Sequence, residues 1–233
     1  MDRFRRVAAA NNAAWCDVVC RTHGLEPRID PDAWTSGVRT PPYYPDAVTL
    51  APDVPVTALL ARVDSTAGCS IKDSFASLDL ASVGFRVLFD AEWIVRPPAT
   101  APPPTGVGPV WEVVRSPELF ARWERAWRGE DGPAGVFRAE LLGHGSVTLL
   151  AARAGSRVSA GAVLNRSAGV VGLSNVFAAP AGPPADWAGC LALADALFAG
   201  STLVGYQAGE ALAAARAHGF RTAGPLRVWS FDD

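Results

Sequence analysis

Lysine is almost missing from this chain. Of its 21 basic residues, twenty are arginine and one, Lys72, is lysine. Positive charge is not in excess either, since 23 acidic residues leave a net charge of −2. That balance argues against nucleic acid as a partner, which needs a basic patch to displace phosphate counterions. No window of 18 uncharged apolar residues occurs, so no membrane span is expected. The amino-terminal MDRFRR is basic, but the VAAANNAAW that follows is interrupted by Asn11 and Asn12 and makes a poor signal-peptide core. Cytoplasm is the expected compartment. The four cysteines do not form a staple pattern. Cys16, Cys20 and His23 fall along one helix face, yet no fourth ligand lies nearby, so buried thiols on a helix ending at Gly24 are expected and metal is not.

What is present is enough apolar material for one large or two small domains, with 49% hydrophobic and 19% charged residues in 233. The stretch RPPATAPPPTGVGP at 96–109 cannot sustain a helix or a central strand. It divides the chain into an amino-terminal segment (1–96), a linker (97–109) and a carboxy-terminal segment (110–233). In the last of these, Ser116 is placed as an N-cap, Pro117 at the first helical position and Gly129 as a stop. Phe120, Trp123 and Trp127 make the apolar stripe of that helix. Three strand-like runs follow (146–153, 157–166, 169–177), joined by short hairpin connections. A helix over 184–200, a strand at 201–206, a helix ending in His218-Gly219-Phe220 and a closing strand at 224–231 complete the order.

That order, with the ending Ala215, Gly219 and Phe220, resembles the GCN5-related N-acetyltransferase (GNAT) fold, an α/β class with a mixed sheet. The resemblance covers about 110–233. A shorter echo lies upstream. CSIKDSFASLDLASVGFRVLFDAEWIVR, like LVGYQAGEALAAARAHGFRTAGPLRVW, reads as a strand, a helix ending in Gly-Phe and a strand carrying tryptophan. Gly84-Phe85 would match Gly219-Phe220, and Trp93 would match Trp229. Residues 40–96 thus look like the back half of a second, truncated unit.

The resemblance implies an acyl-CoA donor held by backbone N–H groups of a Q/R-x-x-G-x-G/A loop. Here the corresponding stretch is NVFAAPAGPPADWAG. Pro180, Pro183 and Pro184 lack an N–H, no arginine or glutamine leads the loop, and Asp186 would repel a phosphate. Acyl-CoA is therefore disfavoured as the cofactor, and a carrier-protein thioester stays open beside it.

The candidate catalytic residues are Asp46, Lys72, Asp73, Asp90 and Glu92, expected to meet in a cleft between the truncated amino-terminal unit and the carboxy-terminal one. Ser70 to Asp73 fits the S-x-x-D capping pattern, which puts Asp73 at a helix start and Lys72 in a first turn that disfavours a cation. A binder of an anionic substrate or leaving group would explain the lysine. Asp46, in TPPYYPDAVTL, is either a turn residue accepting backbone N–H bonds or a desolvated base for an amine. Asp90 and Glu92 share one face of a strand, either the solvated side or a carboxylate pair lining the cleft. Trp15, Tyr43, Tyr44 and Trp93 supply an aromatic setting, and with Asn175 and Tyr206 they are the candidate substrate-binding residues. The resemblance puts Asn175 near where the family binds substrate or thioester, and Tyr206 either near a tyrosine that protonates the departing thiolate or in the core. The resemblance implies an enzyme of the acyltransferase class, moving an acyl group from a thioester to a small amine. The alternatives are a carboxylate-assisted cyclisation that expels an anion such as sulfate, in the style of secondary metabolism, and a binding module without catalysis.

Overall fold

The computed structural model describes residues 2–98, 109–179 and 186–232. The linker reading falls mostly at 99–108 and the proline-rich loop mostly at 180–185, so both lie outside the described residues. The chain forms two compact units. The first comprises Met1–Ile94, Tyr206–Leu212 and Thr222–Asp233; the second comprises Val95–Gly205 and Ala213–Arg221.

The first unit opens with helix α1 (Asp2–Thr22). Its buried residues Ala8, Ala9, Ala13, Trp15, Cys16, Val19 and Cys20 recur at helical spacing and form one apolar face. Gly24, at φ +75°, ends it, with the Leu25 N–H returning to the Cys20 carbonyl at 3.1 Å. Strands β1 (Arg28–Ile29), β2 (Ala33–Thr35), β3 (Ala47–Thr49), β4 (Cys69–Asp73) and β5 (Arg86–Arg96) follow, with the short helix α2 (Val56–Leu60) between β3 and β4. The last strand of the chain, β11 (Arg221–Phe231), joins them, and the sheet order is β1-β2-β3-β4-β11-β5. Strands β3 and β4 are parallel, as the crossover through α2 requires, and β4 is antiparallel to β11.

Residues 69–84 correct the sequence reading. They hold no α-helix, and Lys72 lies within strand β4, with Val228 as its pairing partner in β11. Beyond β4 the chain turns rather than coils. The Asp73 carboxylate accepts from the N–H groups of Phe75 (3.1 Å) and Leu78 (2.8 Å), and only Ala81–Val83 forms a single 3-10 turn. Asp73 does cap backbone, but the cap closes a turn. The ending of the echo is real: Gly84 and Gly219 take φ +92° and +88°, and Phe85 and Phe220 each bond back five residues, to Leu80 and Ala215. This is the left-handed closure that glycine allows.

The second unit carries β6 (Val110–Val113), α3 (Pro117–Arg128), β7 (Val147–Ala154), β8 (Arg157–Ser167), β9 (Val170–Ala178) and α4 (Trp187–Leu197). Strand β10 (Leu203–Gln207) and helix α5 (Gly209–Ala217) each contribute residues to both units. The order here is β10-β9-β8-β7-β6, with β7, β8 and β9 antiparallel and β9 parallel to β10. Ser116 caps α3 through the Leu119 N–H and Pro117 stands at its start, as expected. In this unit's core the Trp123 ring meets Phe137 and Phe177 edge-on at 5.2 and 5.4 Å. Gly161 lies beneath Trp123 and Phe177, leaving no room for a side-chain carbon. Arg96 and Asp195 form a bidentate pair at 2.8 Å on both arms.

No described helix is long and apolar enough to cross a membrane. Cys16, Cys20, Cys69 and Cys190 are free and buried, and no group of described side chains is placed to hold a metal ion.

Two predictions follow from this packing. Gly161→Ala pushes a methyl into Trp123 and Phe177 and lowers stability by about 1–3 kcal/mol, read as a lower urea midpoint with an unchanged slope. Burial raises the Cys16 thiol to about 11 and the Cys190 thiol to about 12, from 9.0. Between these values the unfolded chain releases thiol protons that the folded chain retains. Stability is therefore full below about pH 9 and falls as pH rises towards 11. Urea midpoints at pH 8, 9.5 and 10.5 show this fall, and Cys190→Ala makes it smaller.

Candidate functional site

The period of two in β4 sorts its side chains. Cys69 and Ile71 enter the core of the first unit, with Trp229 of β11. Ser70 and Lys72 face the other way and, with Val228 and Ser230 of β11, lie along a cleft of about 670 Å³. The register Lys72↔Val228 and Ser70↔Ser230 makes these four a continuous floor. One wall is the proline-constrained loop of Thr40 to Pro45. Tyr43 is held there at φ +72° with 70% of its surface exposed, while buried Tyr44 meets Trp15 edge-on at 6.2 Å. Leu88 and Phe89 of β5, together with Tyr206, supply apolar and aromatic lining elsewhere.

Lys72 is only 4% exposed. Its Nζ donates to Oδ1 of Asn12 at 2.8 Å and sits 4.4 Å above the Tyr206 ring, a cation–π contact. Tyr206 is braced edge-on by Trp93 at 5.7 Å, and Trp93 donates to the Ser74 carbonyl at 2.8 Å. Among the described residues no carboxylate pairs with Lys72. A buried ammonium with one amide oxygen and one ring face retains unmet demand for an anion. Its charge also acts on Cys16, partly opposing the burial that raises that thiol.

Asp46 is 1% exposed and fully engaged. Oδ2 receives Arg39 Nη1 at 2.6 Å and the Ser70 N–H at 3.0 Å, and Oδ1 receives the Thr40 N–H at 3.0 Å. With its lone pairs so committed, Asp46 clamps the 39–46 loop to β4, which is the turn-residue reading of the sequence. Arg39, which extends to the Thr66 carbonyl at 3.0 Å, lines the cleft itself.

Of the five candidate catalytic residues, only Lys72 lines this cleft of the first unit. Asp73 is consumed by its turn. Asp90 is exposed and paired with Arg227, whose guanidinium holds the carboxyl below the usual carboxylate range. Glu92 shares Asp90's side of β5, opposite buried Ala91 and Trp93, as the strand alternation predicts, and does not line the cleft. Of the aromatic candidates, Tyr43, Tyr44 and Tyr206 line it, whereas Trp15 and Trp93 stand behind as braces. Asn175 belongs to the second unit. It takes φ +51° at a bulge in β9 where the pairing with β8 skips a residue, and its amide reaches Ser174 Oγ at 3.3 Å. Sequence reasoning missed Arg39, Ser70, Ser230, Phe89 and Asn12. Asn12 alone left a signal, being a polar residue on the buried face of an apolar helix.

No family model and no curated protein matches the chain. Solved structures do. A GCN5-related N-acetyltransferase from Kribbella flavida superimposes with a TM-score of 0.62 at 14% identity, over 96% of each chain. A putative acetyltransferase of the GNAT family from Novosphingobium aromaticivorans gives 0.57 at 13%, covering 97% of this chain and 99% of its own. A tandem GNAT protein from the clavulanic acid biosynthesis pathway gives 0.53 at 13%, over 95% of each. The chain has the GNAT fold, an α/β architecture with a mixed sheet.

Lys72 and Asp46 predict responses of different size. Lys72→Met removes an ammonium that has no carboxylate partner and leaves Asn12 short of one donor, so stability changes by no more than about 1 kcal/mol. Asp46→Ala strips Arg39 and two N–H groups of their acceptor and costs about 3 kcal/mol or more. Urea denaturation of the two variants checks this ordering.

Proposed function

We propose that the chain is a small-molecule enzyme that transfers an acyl group from a thioester to an amine, with the Lys72 cleft receiving an anionic group of the acceptor. One observation carries the reading: a buried ammonium with no carboxylate partner forms part of the floor of a cleft in a protein with the GNAT fold. The similarity to GNAT-family acetyltransferases, and to a tandem GNAT protein from a biosynthetic pathway, supports it.

In this reading Lys72 holds the acceptor by its charge, and Tyr43, Tyr44 and Phe89 enclose its body. The neutral amine attacks the thioester carbonyl, the N–C bond forms, the C–S bond breaks and the thiolate leaves. Tyr206 is assigned as the proton donor to that thiolate. No described carboxylate lines the cleft, so the acceptor's own proton leaves through solvent, and Lys72 acts by binding and orientation rather than as a base. The donor is acyl-CoA or a carrier-protein thioester.

A second reading, cyclisation with loss of an anion such as sulfate, is favoured by the same ammonium, which would stabilise the departing charge. Thiol release from acetyl-CoA with amino-acid and simple amine acceptors separates the two. Turnover favouring anionic acceptors is expected, and in Lys72→Met a KM at least roughly tenfold higher with a smaller change in kcat, the mark of lost binding. No thermal stabilisation by millimolar acyl-CoA or by an acylated carrier, together with no thiol release, removes acyl transfer. Turnover that does not distinguish Lys72→Met from the parent removes the anion role.

A further inference from the structure

The Lys72 cleft restricts its occupant by charge, depth and shape. Among the described residues that line it, only Lys72 and Arg39 are charged. Arg39 is already neutralised, by Asp46 at 2.6 Å and by Asp64 at 3.6 Å. Lys72 therefore contributes one uncompensated positive charge, held by Asn12 Oδ1 at 2.8 Å. A single anionic charge balances it. A phosphate dianion would bring a second charge that no described lining group offsets, at a depth where Lys72 itself is buried.

The charge lies on the floor, and what rises around it is apolar. Tyr43 of the loop is 70% exposed, and Leu88 and Phe89 of β5 are 49% and 38% exposed. Large apolar side chains left open around a buried cation are surface that a ligand would cover. Tyr43, Tyr44 and Phe89 present rings, which favour a flat aromatic body packing against their faces and edges. The cleft volume, about 670 Å³, lies within the roughly 300–1,000 Å³ of clefts that enclose drug-sized ligands. A bare small acid would leave most of it to water.

Resting on the reading of this cleft as the acceptor's site, we infer that it selects an aromatic monocarboxylate, with the carboxylate on Lys72 and the ring beside Tyr43 and Phe89. Lys72 Nζ stands 4.4 Å from the Tyr206 ring centroid, so the carboxylate is held next to the tyrosine assigned to the departing thiolate. An amine that reacts there lies within a few bonds of the carboxylate. The acceptor is then an aromatic amino acid or a close analogue. Asn12 becomes a specificity-determining residue, because its neutral amide orients the ammonium without cancelling its charge. Asn12→Asp would instead pair Lys72 with a carboxylate and close the site to anions.

Calorimetric titration of the whole chain at pH 8 with 3-phenylpropionate, which lacks the amine and cannot react, tests this. The comparison probes are 3-phenylpropionamide, which lacks the charge, propionate, which lacks the ring, and phenethyl phosphate, which carries a second charge. Binding of 3-phenylpropionate roughly tenfold or more tighter than of each other probe is expected. Lys72→Met and Asn12→Asp, each folded by its melting temperature, should lose the preference for acid over amide. Phe89→Ala should lose the preference for 3-phenylpropionate over propionate. Any comparison probe bound as tightly as 3-phenylpropionate overturns the inference, as does an acid preference that survives in both Lys72→Met and Asn12→Asp. Binding as expected, with no thiol released from acyl-CoA or an acylated carrier in the presence of phenylalanine, supports the ligand class and counts against acyl transfer alone. Thiol release with 2-phenylethylamine as fast as with phenylalanine overturns the ligand class and leaves acyl transfer standing.

Discussion

A side chain in a β-strand has two directions open to it, and in β4 that restriction settles the character of the first unit. Ile71 and Cys69 must enter the core, because the sheet has no other place to bury them. Once they do, Lys72 and Ser70 are committed to the opposite face. A slip of one residue against β11 would drive the ammonium into the Leu59, Leu80 and Trp229 cluster and expose Ile71. The cleft is therefore not an addition to the fold but the second face of a strand whose first face is core.

What keeps that face open as a cleft is a buried carboxylate with a purely mechanical task. Asp46 links Arg39, Thr40 and Ser70, three points separated by turn and strand, and so fixes the loop that carries Tyr43 and Tyr44. The wall is thereby held by charge-assisted bonds as well as by the packing of buried Pro41, Tyr44 and Pro45. Asp46 and Lys72, both buried in this unit, differ in kind. Asp46 is satisfied and structural. Lys72 is under-satisfied and available.

This division explains what could be read in the sequence. The second unit was legible because its signals are local: Ser116-Pro117 and Gly129 bracket α3, and Gly155 and Gly169 at φ +64° and +74° mark the hairpin turns. The stretch from Ser70 to Gly84 was not, because the S-x-x-D pattern is local while the pairing that overrides it joins Ser70 to Ser230 at the far end of the chain. Lys72 stood out by composition and the tyrosines by adjacency. Arg39 could not, being one arginine among twenty. Asp46, Asp73 and Asp90 looked like candidates for chemistry because a sequence shows carboxylates without showing the N–H groups and guanidinium groups that occupy them.

The lone lysine then has a physical rationale. Around its Nζ the protein supplies one amide oxygen, from Asn12, and one ring face, from Tyr206. An ammonium has three donors, so this setting leaves capacity for a ligand while keeping the unmet demand small. A guanidinium has five donors in a rigid plane. At the same depth it would leave more of them without acceptors, and its plane would have to lie flat on Tyr206 or turn away from Asn12. In a chain that uses arginine at every other basic position, a buried site with a single acceptor is where the compact, rotatable cation fits and the planar one does not.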